Sequence, residues 1–547
     1  MKVSLNWDNG KKLDFQAENK LNIFDIPAEP ESRKLHIFCE LPLADIHSLW
    51  YERPLLHGGP IPVMLWQAKF TAAQNSGLPF LAFFNRSSVL RGAFGLTNLI
   101  DEAEFCAKIN QQDCTYEVSI VLTLAPESGS CKLFVDLRKN IEWTESLAQW
   151  RNLQNIPLPE FPEAAWNPVF CTWYAVHACV TEDWVEKIVP QISDLGFKTL
   201  IIDDGWCYDD FKRVTPQTLE DWYSVVGDWE ISKAKFPDFP AHVKRVQDMG
   251  MKYMVWVAPH MIGTKSRFFT ENNSAVLLPV HEGCGHLDVN FAEETEILCS
   301  KVADFARDNN LDGLKIDFLD VVQPEISDPR GRKTLQMVKN LVSRIRQDNP
   351  EALIEFRQCY ATLAMMPYAT QFRAGDAPFD WMLNFHRIVN IRLCMGDKVP
   401  AHADPAYWAK DEEAKNVSRH MIAMLAGVPM LSMDPDTLSD RDRQIVKYWI
   451  DFYNDNRKLL NFGHWQIDFG YRDVTMATVD DDTGRIAIVS VPGAERKAIA
   501  GCLAGKELKI LNLSDEELPF AGAECFNPDG TPTEPGKIVP GGWGKKK

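Results

Sequence analysis

The sequence predicts an α/β protein: a (β/α)8 barrel flanked by an N-terminal β-sandwich and a small C-terminal β domain. Its 547 residues exceed what one hydrophobic core supports, so two or three domains are expected. Between about residues 165 and 458, short apolar runs alternate with helical stripes, the pattern of repeated βα units. Before residue 155 and after residue 460 the runs are β-rich and separated by turns. The expected domains are therefore 1–155, 165–458 and 460–547.

In the first domain, Leu35 to Cys39, Val63 to Trp66, Val118 to Leu124 and Lys132 to Leu137 read as strands, and the scarcity of helical stripes favours an antiparallel sandwich. Pro157, Pro159, Pro162 and Pro168 interrupt any regular element and mark a linker. Val169 to Tyr174 is the first barrel strand. A helix then starts at Glu182 and Asp183, buries Val185, Ile188, Val189, Ile192 and Leu195, and closes at Gly196; Pro190 should kink or split it. Thr199 to Ile202 and Tyr253 to Val257 are the next strands, the second preceded by a helix from Ala241 to Met249. Ile297, Leu298, Val302 and Phe305 form a stripe, as do Leu335, Val338, Val342 and Ile345. Strands follow at Leu353 to Phe356, Gln371 to Ala374 and Gly427 to Met430. A doubly wound sheet is the alternative, but no glycine-rich dinucleotide turn follows the first strand. Lys545 to Lys547 reads as a solvated tail.

A net charge of -18 argues against nucleic acid or an anionic membrane as partner and leaves a neutral small molecule or oligosaccharide easy to accommodate. Self-association into a homo-oligomer is left open. No signal-length apolar core stands at the amino terminus and no run is long enough to span a bilayer. Thirteen cysteines scattered through apolar runs look like reduced core thiols, which favours the cytoplasm unless a signal peptide once preceded the chain.

The chain is organised around Leu311-Asp312-Gly313-Leu314-Lys315-Ile316-Asp317, in which Lys315 and Asp317 leave one face of a strand. A lone charge is penalised there, so the pair suggests an assembled polar site, with a structural ion pair as the plain alternative. In a parallel barrel the reacting groups lie at the carboxyl ends of strands, where Asp203, Asp204, Asp317 and Asp376 all fall. Glycoside hydrolysis needs two carboxyl groups flanking the scissile bond. Lys315 would keep Asp317 ionised as a nucleophile, and Asp376 would need burial or the charge of Asp317 to hold a proton. Asp203 and Asp204 can accept from sugar hydroxyls or cap a helix. Trp173, Trp206 and Trp256 can face a sugar ring or simply fill the core. His177, His260, His281 and His286 lack metal-ligand spacing, so neither a metal nor another cofactor is expected.

Taken in order, Asp203-Asp204-Gly205-Trp206, Gly227-Asp228-Trp229-Glu230, Lys235-Phe236-Pro237, Gly250-Met251-Lys252, Lys315-Ile316-Asp317 and Asn456-Arg457-Lys458-Leu459-Leu460 resemble the melibiase-type α-galactosidases and their clan. The resemblance spans residues 165 to about 465. It implies a retaining α-glycoside hydrolase acting on terminal α-galactosides or a related α-linked sugar. It makes Asp317 the nucleophile, Asp376 the acid/base, and Asp203 and Asp204 the binders of sugar hydroxyls. Trp173, Trp206, Lys315, Arg357 and Arg373 complete the expected substrate-binding set.

The chain also departs from the family pattern. Arg357-Gln358-Cys359-Tyr360 stands where a Cys-Ser-Gly-Gly-Gly stretch is expected, and Ala258-Pro259-His260-Met261 replaces Glu-Pro-Glu-Met. The N-terminal domain is shorter than usual. Arg357 and Arg373 either recognise an acidic or substituted sugar or pair with neighbouring carboxylates. A catalytically silent carbohydrate-binding protein on the same fold is the competing expectation, and a metal-dependent barrel hydrolase the third.

Overall fold

The computed structural model describes all residues except 54–59, 63–65, 74–75, 321–329, 471–472 and 503–504. The strand expected at Val63 to Trp66 therefore lies largely outside the described residues.

The N-terminal region is a sandwich of two six-stranded antiparallel sheets. Its logic is visible in Lys34–Pro42, where Leu35, Ile37, Cys39 and Leu41 are buried and the alternate residues face outward. The central strand of the second sheet, Phe80–Phe84, is buried on both faces. Leu81 and Phe83 pack into the space between the sheets, while Phe80, Ala82 and Phe84 belong to the large core shared with the barrel. A helix, α1 (Trp143–Leu153), makes this second core by laying Trp143, Leu147 and Trp150 on the sheet. Arg151 then donates to the Leu393 carbonyl at 2.6 Å, fastening the sandwich to a barrel helix.

Eight parallel strands follow: β1 (Val169–Cys171), β2 (Thr199–Ile202), β3 (Lys252–Val257), β4 (Gly313–Ile316), β5 (Leu353–Arg357), β6 (Gln371–Arg373), β7 (Ala401–His402) and β8 (Met430–Leu431). They pair in sequence order, and β1 pairs with β8. The barrel closes between β7 and β8 through single bridges, His402 with Val428 and Ala406 with Leu431. The helices between them include α2 (Glu182–Asp194), α3 (Phe239–Asp248), α4 (Ala292–Asp308), α5 (Arg330–Asp348) and α6 (Trp381–Met395).

Several sequence expectations shift. The first strand ends at Cys171, because Trp173–Val176 turns into a short helix. The helix α2 runs unbroken through Pro190, which sits on the exposed side while Val185, Ile188, Val189 and Ile192 hold the other face in the core. Ile297, expected on the buried stripe of α4, is exposed. The expected Gly427 strand starts later, at Met430, since Gly427 and Val428 close against β7, with the Val428 amide donating to the Ala401 carbonyl at 2.8 Å. β7 itself has only two residues and no apolar run, which left nothing for a periodicity argument to find.

After α7 (Asp440–Asp455), a seven-stranded sheet forms the C-terminal region. Of the terminal lysines, Lys545 and Lys546 are part of it, and only Lys547 lies beyond the last strand. Trp543–Lys546 pairs with Glu507–Asn512 on one side and Glu524–Phe526 on the other, with Lys545 opposite Glu524. Among the described residues no helix is long and apolar enough to cross a membrane.

Gly313, the first residue of β4, lies so close to β5 that a Cβ would fall 2.1 Å from the Leu353 carbonyl oxygen. Backbone cannot yield there without breaking the ladder, so Gly313→Ala is expected to destabilise the protein by on the order of 3 kcal/mol. A lowered denaturation midpoint of that size, at unchanged denaturant dependence, checks it.

Candidate active site

The carboxyl ends of the strands surround one pocket, lined among others by Trp173, Asp203, Asp204, Lys315, Asp317, Arg357, Arg373 and Asp376. Eight of the nine residues expected at the site are thus brought together. Trp206 is the exception. Gly205, at φ +116° and pressed against Ala178, turns the chain so that Trp206 lies fully buried behind the wall. Its indole donates to the Trp256 carbonyl at 2.8 Å and stacks on Phe305. Trp256 faces the pocket in its stead, together with Cys171, Tyr174, Tyr223, Phe318, Asp404 and Pro405, of which only Trp256 had been singled out.

The long segment between β2 and α3 builds one wall. Buried Lys235 donates to three carbonyls, of Ala178, Gly205 and Asp210, at 2.8, 2.7 and 2.6 Å. This clip explains the Lys-Phe-Pro motif without any reactive role. Asp228 of Gly-Asp-Trp-Glu likewise accepts from the amides of Arg267 and Phe268, capping a short helix. With the segment fixed, Trp222 and Tyr208 donate to Asp204 Oδ2 at 2.6 and 3.2 Å. Asp204 Oδ1, buried at the pocket wall, has no hydrogen-bond partner among the described residues. Burial pushes this carboxyl up to about 6, against the hydrogen bond from Trp222.

A buried charge chain crosses the floor. Lys315 Nζ lies 2.6 Å from Asp203 Oδ2 and 3.6 Å from Asp317 Oδ2, so the lysine's main partner is Asp203 and not, as expected, Asp317. Asp203 is further engaged by the Cys171 thiol at 3.1 Å and by the Asp204 amide at 2.9 Å. The cation nearest Asp317 is Arg357, whose Nε is 3.2 Å from Oδ1. Burial disfavours the Asp317 carboxylate, but Arg357, Lys315 and Arg373 outweigh it, and the Trp256 indole donates at 3.0 Å, so its pKa falls well below the usual range. Phe318, immediately after it, adopts φ +59°, and its amide donates back to Asp317 Oδ1 at 2.8 Å. A non-glycine residue in that conformation costs free energy and is held by the surrounding structure.

Asp376 sits at the mouth, its side chain 55% exposed, in contact with Arg373 at 3.2 Å and with Arg357 at 3.8 Å. Desolvation by the pocket wall pushes its pKa up, yet the two guanidinium groups pull it further down, below the ordinary carboxylate value. The expected poise, a proton held near neutral pH, is therefore not the resting state, because two cations face the group. Arg373 also pairs with buried Asp404, which accepts from the Ala377 amide at 2.7 Å and the Tyr174 hydroxyl at 3.2 Å. Both arginines face carboxylates of this chain. Asp404 follows β7, the strand too short to be read from sequence, so no neighbouring signal pointed to it.

His177, His260, His281 and His286 do not form one cluster of ligands. His260 and His286 stack at 5.7 Å, whereas the His177 Nδ1 accepts from the Val214 amide. The one group of three candidate ligands among the described residues is Glu182, Glu186 and His242, away from the pocket, and Arg245 bridges both glutamates at 2.6 and 2.7 Å.

Asp204 is expected to titrate near 6 when folded and near 4 when unfolded, so as pH rises from 4 to 6 the unfolded state releases its proton first and stability falls. Asp204→Asn should remove that loss, raising stability by about 2 to 3 kcal/mol at pH 7 and by little at pH 4. Urea unfolding of both proteins at the two pH values checks the sign; equal effects at both would contradict it.

Comparisons with known proteins agree with this fold. The family model described as Melibiase matches residues 156–341. Alpha-galactosidase 1 of Pediococcus pentosaceus is 22% identical over 320 residues, covering 54% of this chain and 41% of that protein. Alpha-galactosidase AgaA of Geobacillus stearothermophilus is 20% identical over 327 residues, 53% of this chain and 41% of its own length. The chain thus spans less than half the length of these curated relatives. Among solved structures, a variant of that GH36 enzyme in complex with raffinose superposes with a TM-score of 0.65 at 13% identity, covering 88% of this chain and 79% of the other. The galactosidase domain of the alpha-galactosidase-sucrose kinase AgaSK gives 0.67 at 13% identity, covering 99% and 80%. The resemblance implied by the ordered motifs is therefore shown: this chain is similar to the melibiase-type α-galactosidases, over β1 to β4 by the family model and over the three-part fold by the solved structures.

Proposed function

We propose that the chain is a retaining α-glycoside hydrolase that cleaves terminal α-galactosides or a closely related α-linked sugar. The observation that carries this reading is Asp317. It is a buried carboxylate at the end of β4, kept ionised by Arg357 and Lys315 and aimed by the Trp256 indole and its own neighbour's amide. A nucleophile in a double displacement needs this combination of full charge and fixed direction. The similarity of the chain to α-galactosidases supports galactose as the sugar.

In this reading Asp376 stands across the pocket mouth as acid and then base. Its contact with Arg357 is the looser of its two, at 3.8 Å against 3.2 Å. A sugar ring seated in the pocket excludes water and so raises the affinity of Asp376 for a proton, which the resting pocket does not favour. Asp204 Oδ1 takes a sugar hydroxyl, and Asp203 acts one step back by holding Lys315. Trp173 and Trp256 offer apolar faces to the ring.

A panel of aryl α-glycosides tests the reading, with the α-galactoside expected to turn over fastest; sugar binding without turnover of any member would leave a binding protein instead. Asp317→Ala should lose turnover of every substrate. Asp376→Ala should lose about 100-fold or more on substrates whose leaving group needs a proton and far less on activated ones, and added azide should accelerate it by replacing water in the second step. Equal losses on both kinds of leaving group would show that Asp376 is not the acid.

A further inference from the structure

The phenylalanine most exposed to solvent among the described residues is Phe379, at 63%, and it lies three residues beyond Asp376. That short segment is held rigidly at both ends. The Ala377 amide donates to buried Asp404 at 2.7 Å, and Asp380 caps α6 by accepting from the Leu383 amide at 2.9 Å. A large apolar side chain fixed in water gains nothing from its position unless something covers it.

What lies beside it is the pocket. The Phe379 ring meets Tyr407 at 5.1 Å with an interplanar angle of 67°, and Tyr407 lies 6.2 Å from Tyr174. Tyr174 lines the pocket, and its hydroxyl donates to Asp404, the carboxylate that also anchors Arg373. The Tyr407 amide donates to the Pro378 carbonyl at 3.2 Å, so the loops after β6 and β7 carry the row as one unit. Three aromatic rings therefore run from the pocket interior to the surface on the flank that bears Asp376.

We propose that Phe379 and Tyr407 are specificity-determining residues of this chain, the platform on which the ring attached to the leaving oxygen rests. This rests on the hydrolase reading above, in which Asp376 must face the leaving oxygen, so whatever is attached to that oxygen passes over the same loop. A pyranose presents one face of C–H groups and a rim of hydroxyls. Aromatic side chains cover such a face while leaving the hydroxyls wet.

The test compares raffinose, a trisaccharide, with galactose, which has no ring on the leaving-group side, in the full chain carrying Phe379→Ala or Phe379→Trp. Affinities are measured by calorimetry in an Asp317→Asn background, and kcat/KM for raffinose and α-galactosyl fluoride with Asp317 intact. Phe379→Ala should lower the raffinose-to-galactose affinity ratio threefold to about tenfold and lower the raffinose-to-fluoride kcat/KM ratio alike, mostly through KM. Phe379→Trp should restore both ratios. An unchanged affinity ratio in Phe379→Ala overturns the platform, whether the residue does nothing or affects both ligands equally. Should the Asp317-intact protein hydrolyse neither substrate, the hydrolase reading fails on its own, and the affinity ratio still decides whether Phe379 holds the second ring.

Discussion

Lys315 is buried at the floor of the pocket, and its ammonium group must be neutralised by the protein. Asp203 does this from the neighbouring side of the floor, at 2.6 Å, and Asp317 shares the remainder at 3.6 Å. Removing any one member leaves a buried charge without its partner, which is far more costly than never having buried the set. The constraint spreads outward. Asp317 brings Arg357 to 3.2 Å, Arg357 reaches toward Asp376 and Asp320, and Arg373 ties Asp376 to Asp404. The charged groups at the carboxyl end of the barrel are one network, and the positions of the proposed nucleophile and acid are both set by it.

The network also carries local costs. Asp204 keeps an oxygen without a hydrogen-bond partner among the described residues, and its carboxyl is pushed toward a neutral form that a more ordinary site would not need. Phe318 sits in a left-handed conformation directly after Asp317. Both lie in or beside the pocket, where preorganisation for a ligand is worth more than local stability. By contrast the motif residues Lys235 and Asp228 are fully engaged by the fold, shaping the wall from outside the pocket.

Much of this was legible in the sequence because strand ends and charges coincide. Thr199 to Ile202 and Lys315 to Asp317 place apolar runs immediately before acidic residues, and a barrel has one place for such residues. The β1 to β5 strands announce themselves by apolar runs, β6 offers only Phe372 between Gln371 and Arg373, and β7 has two residues and no run at all, so Asp404 stayed hidden. The helix α1 was also missed, although Trp143, Leu147 and Trp150 follow helical spacing, because its surroundings read as β. Partnerships were less legible than positions. Which carboxylate Lys315 prefers and how far two arginines depress Asp376 depend on distances between strands, and Trp206 went astray because a single glycine turn decides which side of the wall its ring occupies.

In the proposed mechanism Asp317 forms a covalent bond to the sugar. A 2-deoxy-2-fluoro α-galactosyl donor with a good leaving group slows both steps by destabilising the oxocarbenium-like transition states, and the leaving group restores the first. Digestion and peptide mass spectrometry of the treated protein should then find the fluorosugar on the peptide containing Asp317, with the label absent from Asp317→Asn. Label on a peptide carrying another pocket carboxylate, such as Asp376 or Asp404, would contradict the account.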